Sequence, residues 1–125
     1  MPKTTDFDAL FEQLKAIYTP YAERLVVTAD DAGNYSLNTP YSAQYKKEVF
    51  FGAVQIKKNY VGFHLMPVYI YPDLLAGISD ELKKRMQGKS CFNFKSSDEH
   101  LFSELVDLTT ASVERFEQEK LLPSP

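Results

Sequence analysis

Between Val49 and Met66 the chain carries two apolar runs on either side of Lys57-Lys58-Asn59. The first reads Val-Phe-Phe-Gly-Ala-Val-Gln-Ile from Val49 to Ile56, and the second reads Tyr-Val-Gly-Phe-His-Leu-Met from Tyr60 to Met66. β-Branched and aromatic residues around a short polar turn predict an antiparallel hairpin. Period two puts Val61, Phe63 and Leu65 on one face of the second arm, and Tyr60, Gly62, His64 and Met66 on the other. The first set is core chemistry. The second mixes an amphipathic ring, a glycine and a titratable group.

The ends of the chain have the helical period instead. Phe7, Leu10, Phe11, Leu14, Ile17, Tyr18 and Tyr21 form one apolar stripe, with Thr5 as the expected N-cap and Pro20 stopping the helix near Tyr18–Thr19. Ser96 and Glu99 offer a capping box for a long second helix with Phe102, Leu105, Leu108 or Thr109, Ser112 or Val113, and Phe116 on its buried side. Residues 121–125 (Leu-Leu-Pro-Ser-Pro) are expected as a tail outside it. Shorter signals lie between. Leu25–Thr28 and Tyr35–Leu37 flank turn chemistry at Asp30–Asn34, and Cys91–Lys95 alternates as a last strand with Phe92 and Phe94 inward. Pro72 is expected to start a helical turn closed by Gly77. Ser79 is expected to cap a further helix that Gly88 closes as a C′ glycine. Two amphipathic terminal helices need one apolar sheet face to cover. The expected fold is therefore an α+β two-layer sandwich, an antiparallel sheet covered on one face by the N- and C-terminal helices.

At 125 residues the chain fits one domain, and its 44% hydrophobic content is that of a globular protein. A net charge of −3 argues against a general nucleic-acid binder, which carries a basic footprint. No apolar run approaches the ~18–20 residues of a membrane span. The opening residues lack an apolar signal core, so the expected location is cytoplasmic. One cysteine, Cys91, allows neither an intrachain disulfide nor a multi-thiolate metal site, and two histidines exclude a histidine-rich one. Dinucleotide, Walker-type, nucleophile-elbow and His-Glu-x-x-His motifs are all missing.

Four features carry what chemistry remains. Arg85-Met86-Gln87-Gly88-Lys89-Ser90-Cys91 sets a glycine between two cations where helix is expected to give way to strand, suited either to gripping an anion or simply to ending a helix. His64, in the same hairpin as Gln55 and near Tyr69, is a donor, base or ligand within a polar-aromatic cleft, or a histidine satisfied on a half-exposed sheet face. Cys91, near Lys89 and Lys95, is either a nucleophile or a small semi-buried strand residue. Asp6, Asp8 and Glu12, with Asp30 and Asp31, offer carboxylates to a hard cation such as iron, or serve as a solvated helix face and turn.

Residues 52–61 (Gly-Ala-Val-Gln-Ile-Lys-Lys-Asn-Tyr-Val), 64–69 (His-Leu-Met-Pro-Val-Tyr) and 82–94 (Leu-Lys-Lys-Arg-Met-Gln-Gly-Lys-Ser-Cys-Phe-Asn-Phe) resemble the YdhG-like family, a bacterial domain family of largely unknown function. The resemblance implies a frataxin-like α+β sandwich. It also implies a link to iron, since some members of the wider family are described as frataxin-like iron chaperones that bind iron through surface carboxylates. Three readings follow. The first is a non-enzymatic binding domain using Tyr60, His64, Arg85, Lys89 and Asn93 to hold a small anionic molecule or an acidic segment of a protein partner. The second is an iron-binding chaperone using Asp6, Asp8, Glu12, Asp30 and Asp31. The third is an enzyme acting through His64 or Cys91.

Overall fold

The structure, a computed structural model, describes residues 4–42 and 45–122, with side chains from Phe7 onward. Helix α1 (Thr4–Tyr18) runs into a 3₁₀ turn (Thr19–Arg24) at Pro20. Strands β1 (Val26–Asp31), β2 (Asn34–Asn38), β3 (Phe50–Ile56) and β4 (Val61–Leu65) follow as consecutive antiparallel neighbours. Helical turns α2 (Pro67–Ile70), a 3₁₀ turn (Pro72–Gly77) and α3 (Asp80–Lys83) then cross to a short hairpin of β5 (Met86–Gln87) and β6 (Cys91–Phe94). Helix α4 (Glu99–Gln118) ends the fold. Among the described residues the strands form one antiparallel sheet in the order β1-β2-β3-β4-β6-β5. It is an α+β open sheet packed against the N- and C-terminal helices, with α1 against β3 and against α4.

Pairing sorts the side chains into two faces. Tyr35, Val54, Phe63 and Phe92 form a cross-strand row, as do Val61 and Phe94, and all are buried beneath the helices. Burying a side chain of this size contributes ~1.5–3 kcal/mol each. Leu10, Leu14 and Tyr18 of α1 and Leu105 and Phe116 of α4 fill the space above them, as their spacing predicts.

A register shift at Leu37/Asn38 lets β3 break its alternation. Phe50 turns to the open face against His64, while Phe51 joins Tyr18 and Phe116 in the core. The next residue, Gly52, is where Tyr18 lies flat on the sheet. The Tyr18 hydroxyl donates to the His64 carbonyl across it. A Cβ on Gly52 would stand 2.6 Å from the Tyr18 ring and 2.7 Å from the His64 carbonyl oxygen.

Several local expectations are corrected. Thr5 lies within α1, not before it. Ser79 does cap α3, accepting from the Leu82 N–H at 3.1 Å, but that helix ends at Lys83. Gly88 does not close it. Gly88 sits in the turn of the β5–β6 hairpin with φ +78°, a left-handed conformation that glycine adopts without steric cost. Asp98, not Ser96, caps α4, accepting from the Leu101 N–H at 3.1 Å. Leu121 and Leu122 lie outside α4, as expected, but they fold back onto the core. Lys120, at φ +65°, reverses the chain so that both N–H groups reach the Phe116 carbonyl and both side chains are buried.

Candidate functional site

The helices cover one face of the sheet, and the other carries two rows of small and polar side chains. Ser36, Ala53, His64, Cys91 and Gln87 are successive cross-strand partners, and so are Asn34, Gln55, Gly62 and Asn93. Side chains that stand near-perpendicular to a sheet leave a hollow wherever a residue is small. Ala53 and Gly62 are the small residues at its centre. The result is a cavity of about 120 Å³ over Gly62, with Tyr60, His64 and Asn93 among its walls.

Hydrogen bonds hold this surface in place. Gln55 donates to Asn34 Oδ1 at 3.1 Å, and Asn93 donates to Gln87 Oε1 at 3.0 Å. The Asn93 N–H donates to the Arg85 carbonyl at 2.8 Å, tying the segment after α3 to β6. His64 Nε2 lies 2.7 Å from Ser90 Oγ, and the Phe50 and His64 rings pack edge-to-face with centroids 5.0 Å apart. Partial burial pushes the imidazole pKa down, favouring the neutral ring.

A second hollow of about 360 Å³ adjoins the first and shares Tyr60, Gln87 and Asn93 with it. Here the lining turns cationic, with Lys84, Arg85 and Lys95 beside Asn59. Lys57 lines the first cavity. No carboxylate lines either hollow, and none of these four cations forms an ion pair among the described residues. Lys84, Arg85 and Lys95 also line a neighbouring depression, which they share with Glu81 and Asp98.

Four of the five residues expected to form a binding site, Tyr60, His64, Arg85 and Asn93, therefore line one continuous groove. Lys89 does not; it stands in the β5–β6 turn and lines neither hollow. Tyr69 is exposed on α2 and lines neither hollow, so the aromatic beside His64 is Phe50. Lys57, Lys84, Lys95 and Gln87 are not among the five binding residues expected from the sequence. Lys84 belongs to a run that reads as the solvated end of a helix, and β5 carries no alternation that would reveal it.

Cys91 stands opposite His64 across β4 and β6. Burial pushes its thiol pKa up, with Lys57 opposing only in part, so the thiol stays protonated at neutral pH. The acids are dispersed. Asp8 and Glu12 are exposed on α1, Asp30 pairs with Lys15 at 3.0 Å, and Asp31 is exposed at the end of β1. The side chain of Asp6 lies outside the described residues. Among the described residues no three His, Cys, Asp or Glu gather closely enough to hold one metal ion, and no helix is long and apolar enough to cross a membrane. Comparisons with protein-family models, with curated proteins and with solved structures returned no match.

Proposed function

We propose that this chain is a binding domain of the YdhG-like type that holds a small anionic molecule in the groove on the open face of its sheet. The observation that carries the reading is the groove's charge. Lys57, Lys84, Arg85 and Lys95 line it without a carboxylate among the lining residues, in a chain whose net charge is −3. Clustered like charges repel at low ionic strength, and an anion that bridges them relieves the repulsion. The Arg85 guanidinium supplies a planar fork suited to phosphate or carboxylate, and the lysines supply point charges.

The iron reading rests on acids that lie apart, one of them already paired with Lys15. The enzymatic reading has two candidates: Cys91 would need a reactive thiolate, and burial favours its thiol, while the His64 ring has only the Ser90 hydroxyl, at 2.7 Å, as a hydrogen-bond partner among the described residues. The frataxin-like label is carried by the family resemblance and is compatible with the α+β sandwich.

Titration with inorganic phosphate and pyrophosphate, followed by amide NMR, tests the proposal. Pyrophosphate is expected to shift the Tyr60, Gln87 and Asn93 resonances in the wild type and to weaken steeply with added salt. Arg85→Ala with Lys95→Ala should abolish those shifts, whereas Lys89→Ala should leave them. Shifts that are missing in the wild type, or that persist in the double variant, overturn the proposal.

A further inference from the structure

The two halves of the groove differ in chemistry, and the difference specifies a ligand class. Over Gly62 there is no side chain, only a shallow floor with the Asn93 Oδ1 acceptor 3.4 Å and the Tyr60 ring 3.7 Å from where a Cβ would stand. Carboxamides of Gln55, Gln87 and Asn93 border that floor; with Gln55 donating to Asn34 and Asn93 to Gln87, the Gln55 and Asn93 oxygens and the Gln87 amide nitrogen are left for a ligand, and Lys57 is the one charged residue in the lining. Such a cavity accepts a flat ring with polar edges. At about 120 Å³ it is too small for a folded peptide segment. Beyond Tyr60, Gln87 and Asn93 the lining changes to Lys84, Arg85 and Lys95, which suits a phosphate.

From this we infer that the groove binds a phosphorylated heteroaromatic compound of nucleoside monophosphate size, its ring over Gly62 and its phosphate among Lys84, Arg85 and Lys95. This rests on the anion-binding reading above and adds the ring. An acidic peptide would use the cations and leave the Gly62 floor empty. A nucleic-acid strand has the same local chemistry but needs a basic track extending beyond one nucleotide, and the chain as a whole is acidic.

The test compares adenosine 5′-monophosphate, cytidine 5′-monophosphate, adenosine, inorganic phosphate and a short oligodeoxyadenylate on the wild type by calorimetry and amide NMR. At least one monophosphate is expected to bind about tenfold or more tightly than phosphate, the scale of one base stacking and hydrogen bonding on a protein surface. Gly62→Val, which fills the floor with a strand-compatible side chain, should remove that advantage while phosphate binding stays unchanged. Gly62→Ala serves as the milder plug if the valine variant loses its native circular dichroism. Phosphate binding with no gain for either monophosphate overturns this inference and leaves anion binding standing. Binding of neither phosphate nor monophosphate overturns both. A monophosphate advantage that survives both Gly62 variants removes the ring from this site. An oligonucleotide that binds more tightly per nucleotide than the monophosphates makes the surface a strand-binding one and overturns the inference.

Discussion

Among the glycines, Gly52 has the least room for a side chain. Its missing side chain lets the Tyr18 ring lie on β3, stacked with Phe63 at 4.7 Å between centroids, while the hydroxyl donates to the His64 carbonyl. Burial raises the Tyr18 pKa well above its usual value, so the hydroxyl remains a donor. An added methyl meets both a ring and a backbone oxygen, and the backbone oxygen is held in the sheet. Gly52→Ala is therefore expected to destabilise the fold by about 1–3 kcal/mol, the usual cost of overpacking a core. Urea denaturation measures it, and a loss below about 0.5 kcal/mol would show that Tyr18 leaves the strand easily. The glycine is visible in the sequence, but its reason is not, because Tyr18 lies 34 positions away on a different element.

At the scale of elements, periodicity locates helices and strands better than capping motifs locate their ends. Ser96 and Asp98 both carry acceptors of the right kind, two residues apart, before the same apolar stripe. The backbone decides between them: Asp98 has extended dihedrals of φ −146° and ψ +100° and its side chain reaches the Leu101 N–H. Asp98→Ala should cost about 1 kcal/mol in thermal or chemical denaturation, whereas Ser96→Ala should be near neutral. Equal losses would restore the capping box to Ser96. The Gly88 correction has a similar cause. A glycine after Lys83-Lys84-Arg85 satisfies the chemistry of a helix C-terminus, and equally that of a tight hairpin turn. Only pairing of Met86 and Gln87 with Phe92 and Cys91 selects the hairpin, and that pairing depends on β6 being held against β4.

Across the whole molecule, stability is coupled to pH through the sheet face the helices leave open. His64 is half-buried there, and its pKa lies below the ordinary 6.5, with burial as the cause. The unfolded chain therefore takes up a proton before the folded one does. The stabilisation from a neutral His64 is fully present above pH 6.5 and is lost as pH falls through the lower folded value. Melting temperatures of the wild type should drop more steeply between pH 7 and pH 5 than those of His64→Gln. Parallel curves would show that the imidazole contributes nothing to this dependence. The amino-acid sequence by itself determined the α+β class, the two terminal helices and the alternation that places Val61, Phe63 and Leu65 inward, because hydrophobic period is a local property. It also marked Tyr60, His64, Arg85, Lys89 and Asn93 as binding candidates. The tertiary structure alone decided that four of these share a groove and that Lys89 lies outside it. It likewise decided that Lys57, Lys84 and Lys95 stand without carboxylates in that groove, since strand order and register join residues that the chain keeps far apart.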